Sequence, residues 1–157
     1  MITVRIQESD FCPDEEKYLL QGISTEVGAI VEFTGCVRAD SAQGRGILQG
    51  IFLEHYPGMT EDAIRQIIGQ ACSRWPLLGV TVIHRVGHLG IGENIVYVGV
   101  ASSHRRPAIE CVGFIMDYLK NDVPIWKKAV FAGSDEWIEQ KKTDVDAKKA
   151  WFTHDDS

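Results

Sequence analysis

Hydrophobic and polar residues along this chain follow two periods, one typical of β-strands and one typical of α-helices. Residues 2–6 alternate between apolar and polar side chains as a short edge strand does, and the later strand-like runs are rich in β-branched and aromatic residues. The polar, glycine-bearing loop at 39–46 suggests that the second and third strands pair as a hairpin. Strands are predicted over 2–6, 28–37, 47–55, 80–86, 94–101, 125–131 and 137–140.

Three further runs have the composition and spacing of helices, at 13–21, 60–75 and 107–120. Pro107 fits a first-turn position, and Thr60 can cap the second helix. The two longer runs each carry an apolar face. These faces are formed by Ala63, Ile64, Ile67, Ile68, Ala71, Cys72 and Trp75 in one helix and by Ala108, Ile109, Val112, Ile115, Met116 and Leu119 in the other.

The succession of strands and helices, with several expected hairpins, predicts an α+β protein with a mixed or antiparallel sheet and two main helices. A chain of 157 residues suits one domain and is long enough to bury a substantial core. We expect that domain to span 1–142 and a polar C-terminal tail, which carries Trp151 and Phe152, to span 143–157.

The composition limits the classes of partner. The net charge is -6 and the pI about 5.3, which disfavours non-specific binding to nucleic acid, so any anion site must be a local cluster of cations. The N-terminus has no basic stretch followed by an apolar one, and no apolar run approaches the ~20 residues that cross a bilayer. We expect a cytoplasmic protein without a membrane segment.

The cysteines and histidines lack the spacing of a metal site. The four cysteines include no CxxC pair and have long, irregular gaps, which is typical of reduced cytosolic thiols. His84 and His88 are separated by a strand end and a turn rather than by one helical turn, so we expect neither a metal nor a resident cofactor. Cys36 has two interpretations: a buried thiol that packs as a small apolar group, or an accessible thiol that carries sulfur.

Gly87, Gly90 and Gly92 raise the question of a nucleotide-binding loop. A dinucleotide fingerprint needs a strand before it, a helix after it and G-x-G-x-x-G spacing. Here another strand follows and the spacing differs, so a hairpin turn is the favoured interpretation.

Cations gather where the last long strand gives way to the last helix. His104, Arg105 and Arg106 lie there, beside a helix N-terminus whose free N–H groups favour an anion. Unpaired cations oppose the helix dipole at this end, which indicates that an anion belongs with them; a solvated charge run is the alternative. Arg38 and Lys120 have weaker local signals, because a lone surface arginine and a lysine that ends a helix are both ordinary.

Several segments, in this order, resemble one known family, the large subunit of molybdopterin synthase, also called the MoaE family. The resemblance extends from about residue 28 to residue 139. The segments are FTGCVR (33–38), LEHYPGM (53–59), RWPL (74–77), VIHRVG (82–87), SSHR (102–105), FIMDYLK (114–120) and PIWKK (124–128).

This resemblance implies an α/β-hammerhead-like fold and a sulfurtransferase reaction. In the family, a small ubiquitin-like subunit carries a thiocarboxylate on its C-terminal Gly-Gly, and its tail enters a pocket of the large subunit. Sulfur then passes to cyclic pyranopterin monophosphate to form the dithiolene of molybdopterin. A central homodimer of large subunits with a small subunit at each end, a heterotetramer, is also implied.

The resemblance further implies which residues act. Lys120 and Lys127 match the family's catalytic lysines. The implied substrate-binding residues are Arg38, His104 and Arg105, with Cys36, Val37, Lys128 and Ala129 beside them. Cys36 stands where lysine or threonine is common, and Ala129 where an acidic residue is common, so the contacts from these two positions are in question.

The role of Lys120 remains open between stabilising charge on the acyl carbon under attack and forming a transient covalent link. His104 and Lys120 lie at opposite ends of one predicted helix, roughly 24 Å apart at ~1.5 Å per residue. We therefore expect a composite site, in which His104 and Arg105 come from the dimer mate. Two alternatives are a docking module for a ubiquitin-like protein without chemistry and a module that binds a phosphate ligand such as a nucleotide.

Overall fold

The computed structural model describes residues 1–39, 47–131 and 134–137, together with Lys148 and Trp151. Within this part of the chain there are three helices, α1 (Pro13–Gln21), α2 (Met59–Arg74) and α3 (Arg105–Asn121). The strands are β1 (Ile2–Gln7), β2 (Ala29–Cys36), β3 (Leu48–His55), β4 (Gly79–Arg85), β5 (Gly87–Gly90), β6 (Asn94–Ser102), β7 (Ile125–Phe131) and β8 (Ser134–Trp137). No helix in the described residues is long and apolar enough to cross a membrane.

Most predicted elements are confirmed within two residues at either end. The bounds of α1 and β7 agree with the predictions, and those of α2, α3, β1, β2, β3, β4 and β6 differ by one or two positions. β5 was not predicted as a strand. The strand predicted at 137–140 overlaps β8 only at Trp137, and positions 138–140 lie outside the described residues. The α+β class is confirmed.

The strands form two four-stranded sheets, in the orders β1-β4-β6-β2 and β5-β3-β7-β8. β1 is an edge strand, as predicted, and runs parallel to β4, whereas the other neighbouring pairs are antiparallel. The predicted hairpin of β2 with β3 is wrong, because β2 pairs with β6 and β3 pairs with β5 and β7. Although β2 and β3 are consecutive in the chain, they therefore belong to different sheets.

The glycine-rich segment between β4 and β6 is more than a turn. β4 and β6 are antiparallel neighbours, but the connection contains β5, which pairs with β3 in the second sheet. The prediction of a simple hairpin turn is wrong in this respect. Gly87 and Gly92 have φ of +87° and +86°, which glycine adopts without steric strain.

The main core lies between the first sheet and two helices. α2 and α3 cover one face of the sheet, and α1 covers the other, where Leu20 is fully buried. Successive side chains of a strand point to opposite faces, so every second residue enters the helix-facing core. Residues at most 1% exposed on that face include Val80, Val82, Val98 and Val100.

One residue of the predicted apolar face of α3 is exposed. Ile109 is 53% exposed, because a one-residue step along a helix turns the side chain by about 100° away from Ala108, which is fully buried. Phe114 and Tyr118 are buried instead. On α2, the predicted core residue Cys72 is also exposed.

The prediction that Thr60 caps α2 is wrong. Its side chain instead links α2 to the segment that precedes β7. The N-cap is Gly58, at φ +84°, and the Glu61 carboxylate accepts a hydrogen bond from its backbone N–H at 2.6 Å. The buried Thr60 hydroxyl accepts from the Tyr56 N–H at 2.9 Å and donates to the Pro124 carbonyl at 2.9 Å. This second bond fixes the connection between α3 and β7.

Candidate functional site

A pocket of about 460 Å³ lies where the two sheets and the end of α3 meet. It brings together five residues that the sequence analysis singled out: Cys36, Val37, Arg38, Lys120 and Lys127. The remaining wall is mostly apolar and is formed by Phe33, Gly35, Leu48, Ile51, His84, Ile95, Val96, Met116 and Leu119. A concave, largely apolar site with a few converging cations is suited to hold a small anionic ligand.

The segment that carries Arg38 is held by the turn between β5 and β6. The register of β2 against β6 shifts between Gly35 and Cys36. Beyond this shift, the Val37 N–H donates to the Glu93 carbonyl at 2.8 Å, and the Gly92 N–H donates to the Val37 carbonyl at 2.7 Å. Val37 is buried and Arg38 is exposed, so the guanidinium stands at the mouth of the pocket on a fixed backbone.

Arg85 anchors this turn from the other side. Its guanidinium is buried and donates to the Glu8 carbonyl at 2.8 Å and the Asn94 carbonyl at 3.0 Å. It also lies 3.5 Å from the Glu93 carboxylate. Arg85 was not predicted as a site residue, and it acts on the pocket through the backbone that it holds.

Lys120 and Lys127 reach the pocket from different elements. Lys120 lies in the last turn of α3 and is exposed, whereas Lys127 lies in β7 and is partly buried. Lys128 follows on the opposite face of the strand, where its ammonium lies 5.4 Å from the centre of the Phe52 ring. Ala129 is 4% exposed. Of the PIWKK lysines, therefore, Lys127 faces the pocket.

His84 is a pocket residue whose role sequence reasoning missed. Its partly buried ring lines the pocket, and Nδ1 lies 2.8 Å from the Arg85 carbonyl. Burial lowers the pKa of His84 to about 4; the Arg85 carbonyl opposes this shift, and the charges of Lys120 and His55 add to it. The available signal was a polar residue at an inward position of β4, two residues after the buried Val82.

The cysteines differ in accessibility. All four are free. Cys36 is exposed, and its thiol donates to the Asn94 side-chain oxygen at 3.5 Å, so the interpretation of Cys36 as a buried apolar group is wrong. Cys111 is buried, and burial raises the pKa of its thiol to about 12, which leaves it protonated and unreactive at neutral pH.

A second group of cations lies at the opposite end of α3 from Lys120. His104, Arg105 and Arg106 are exposed there, and the Arg106 guanidinium lies 4.0 Å from the Glu110 carboxylate. The Ser102 hydroxyl donates to the Pro76 carbonyl at 2.8 Å, and the Gly28 N–H donates to the Ser102 carbonyl at 3.0 Å. These bonds fix the entry into the helix.

Histidines, cysteines and carboxylates are dispersed in the described part of the chain. No group of three or more of them within it is arranged to hold a metal ion. The exposed His88 ring stacks with Phe52 at a centroid distance of 4.5 Å. The polar groups of the pocket are therefore the three basic side chains of Arg38, Lys120 and Lys127, together with the His84 ring and the Cys36 thiol.

Comparisons with known proteins match nearly the whole chain. A family model described as MoaE protein matches residues 6–122. The molybdopterin synthase catalytic subunit of Pseudomonas aeruginosa is 44% identical over 150 residues, which cover 96% of this chain and 99% of that protein. The protein of the same description from Escherichia coli is 46% identical over 136 residues, which cover 87% and 89%. A solved structure, the molybdopterin biosynthesis MoaE protein from Burkholderia ambifaria, has a TM-score of 0.82 at 39% identity and covers 97% of this chain and 99% of that chain.

Proposed function

The chain belongs to the MoaE protein family and is a sulfur-transferring enzyme of the molybdopterin synthase type, and we propose that its cationic pocket is where the sulfur is transferred. The sulfur donor is the C-terminal Gly-Gly thiocarboxylate of a small ubiquitin-like subunit. The acceptor is cyclic pyranopterin monophosphate, which becomes the dithiolene of molybdopterin. The observation that carries the proposal is the convergence of Arg38, Lys120 and Lys127 on one pocket.

Charge explains why this pocket suits both reactants. The thiocarboxylate and the cyclic phosphate are anions, and the net charge of the protein is -6, so a local group of cations is needed to attract them. Arg38 at the mouth can bind two oxygens of a phosphate through its planar guanidinium. The apolar wall strengthens these interactions, because it excludes water and lowers the local dielectric constant.

After the thiocarboxylate sulfur has bonded to the pterin, water attacks the acyl carbon of the tail, breaks its C–S bond and releases the tail as a carboxylate. Lys120 stabilises the negative charge that develops on the acyl oxygen in this step, as an oxyanion donor does. A covalent link to the partner's tail through the Lys120 amine is the alternative, and it requires the neutral amine. Lys127 neutralises the sulfur anion as it moves toward the pterin. Cys36 and Val37 line the same pocket and complete its substrate-binding segment. Lys128 lies on the other face of β7 and Ala129 is buried, so these two residues support the strand that carries Lys127.

His104 and Arg105 lie at the N-terminal end of α3, and Lys120 lies at its C-terminal end. They and Lys120 are separated by the length of α3, roughly 24 Å at ~1.5 Å per residue, so they cannot touch the same substrate atom within one chain. Each site of the homodimer therefore takes Lys120 from one chain and His104 from its mate. With a small subunit on each large subunit, the assembly is a heterotetramer. The cytoplasmic location of the protein and the domain boundary at residue 142 are expectations from the sequence.

A single-turnover assay tests the proposal. The purified chain is mixed with the thiocarboxylated small subunit and the cyclic pterin phosphate, and dithiolene product is measured for wild type, Lys120→Ala and Lys127→Ala. Lys17→Ala is the matched control, because Lys17 is exposed on α1. We expect product from wild type and Lys17→Ala and at least about a hundredfold less from Lys120→Ala, in the range seen when an oxyanion donor is removed. Wild-type rates in both pocket variants would contradict the pocket as the place of transfer, and no product from folded wild type with a competent partner would favour the docking module.

A further inference from the structure

The side chain of His84 occupies a position that the strand pattern otherwise gives to apolar residues. Val80 and Val82 point from β4 into the core between the sheet and the helices, and each is at most 1% exposed. His84 has the same orientation two residues later, where the core opens into the pocket. A polar ring at such a position needs a polar partner, because an unpaired buried polar group is costly.

One ring nitrogen already has its partner. Nδ1 lies 2.8 Å from the Arg85 carbonyl, and because a carbonyl oxygen only accepts, Nδ1 carries the hydrogen. In a neutral imidazole the other nitrogen, Nε2, then has a free lone pair. This lone pair is a hydrogen-bond acceptor at the wall of a pocket that Arg38, Lys120 and Lys127 line with donors.

The ring remains neutral at the pH of the reaction. Burial lowers the pKa of His84 to about 4, and the charges that act on the ring are those of Lys120, from α3, and His55, from β3. His55 Nε2 lies 3.8 Å from the Glu61 carboxylate, so His55 has a polar partner on α2. Lys120 lines the pocket together with His84, and its amino group carries hydrogens that an acceptor on His84 can use.

We propose that His84 is a positioning residue for Lys120: its Nε2 accepts a hydrogen bond from the Lys120 ammonium and directs that ammonium into the pocket. This inference rests on the proposed role of Lys120 in sulfur transfer. Lys120 is exposed in the last turn of a helix, and a lysine side chain carries ~2 kcal/mol of rotamer entropy. A fixed acceptor reduces that freedom and sets the distance from the ammonium to the acyl oxygen.

Two substitutions at position 84 distinguish the contribution of Nδ1 from that of Nε2. In His84→Asn the amide nitrogen takes the place of Nδ1 and can keep the bond to the Arg85 carbonyl, but nothing replaces Nε2. In His84→Gln the longer side chain places an amide oxygen near the former Nε2. The side chains of asparagine and glutamine are polar and no larger than that of histidine. Far-ultraviolet circular dichroism verifies that each variant is folded before it is used.

The first readout needs no substrate. The lysines of the isolated protein are reductively dimethylated with ¹³C-formaldehyde, and Lys120→Arg identifies the methyl resonance of Lys120. An ammonium held by a fixed acceptor is more ordered than one held only by water, so we expect this resonance to change position and to narrow in His84→Asn. We expect it to stay near the wild-type position in His84→Gln. An unchanged resonance in His84→Asn, or an equal change in both variants, overturns the proposal.

The second readout is the reaction of the complete complex. We expect kcat to fall about tenfold in His84→Asn, with KM for the pterin precursor within about twofold of wild type, and His84→Gln to recover most of the loss. A KM effect without a kcat effect contradicts positioning of a catalytic group. The two hypotheses can fail separately. If Lys120→Ala is active but the Lys120 resonance still changes in His84→Asn, the proposed function is wrong. If Lys120→Ala is inactive and the resonance does not change in His84→Asn, only the role of His84 is wrong.

Discussion

The indole ring of Trp151 packs edge-on against that of Trp75, with ring centroids 6.2 Å apart and planes at 87°. Trp151 also packs edge-on against Phe114 at 5.7 Å, and its indole N–H donates to the Asp117 carboxylate. Nearby, the Lys148 ammonium pairs with Asp122. Position 151 of the predicted polar tail is therefore attached to the outer side of α3.

Trp151→Ala is expected to destabilise the protein by about 2 kcal/mol, since it removes aromatic contacts and a hydrogen bond to a carboxylate. Urea unfolding followed by circular dichroism measures the change. Tyr18→Ala is the control, because Tyr18 is an aromatic residue that is 76% exposed, and its loss should cost less than about 0.5 kcal/mol. Equal stability of the two variants would show that the contacts of Trp151 contribute nothing in solution.

Gly28→Ala tests how closely β2 approaches the segment before α3. A Cβ at this position would lie 2.2 Å from the backbone oxygen of Ser103, which no side-chain rotation can relieve. We expect a loss of about 1–3 kcal/mol in the free energy of unfolding and displacement of His104, with a fall in activity. Gly69→Ala is the matched control, because its Cβ meets no atom within 4 Å, and helix propensity predicts a gain of up to about 1 kcal/mol there.

Mixed dimers test the composite site. Chains carrying Lys120→Ala and His104→Ala are given different affinity tags, co-expressed and purified as heterodimers. If each site takes Lys120 from one chain and His104 from the other, one of the two sites in the heterodimer is intact, and about half of the wild-type activity returns. Heterodimers that form but show no more activity than either mutant homodimer would contradict the sharing of residues.

The stability of the protein should fall on mild acidification because of His84. Its pKa is about 4 in the folded protein and about 6.5 in the unfolded chain, so between these values the unfolded chain binds the additional proton. This contribution is complete above pH 6.5 and is lost as the pH falls toward 4. Urea unfolding at pH 7.5 and pH 5 should show a smaller loss for His84→Asn than for wild type. The exposed His88→Asn control should retain the wild-type dependence.

The helices and strands of this fold could be predicted from the sequence because the residue patterns that specify them are local. Pro13 and the acidic residues after it determine where α1 begins, and the apolar spacing of α2 and α3 reflects contacts within a few turns. Strand pairing was not accessible in the same way. The pairing of β2 with β6 joins Ala29 to Ser102, and no local pattern distinguishes this partner from the adjacent β3.

The site was accessible in part. The segments FTGCVR, DYLK and PIWKK identified Arg38, Lys120 and Lys127 through resemblance, and the structure brings these three residues to one pocket. His84 was considered only as a metal ligand, because sequence spacing emphasises pairs such as His84 and His88. Its tautomer depends on the Arg85 carbonyl, and its neutrality depends on burial, neither of which can be read from residue order.

The position of the pocket between the two sheets has a mechanical consequence. Arg38 follows a strand of the first sheet, whereas Lys127 belongs to a strand of the second. An anion that contacts both residues acts as a cross-link between the two halves of the fold. Filling the site should then slow amide hydrogen exchange in β2 and β7 together, so that the enzyme stiffens as it loads its substrate and loosens again when the product leaves.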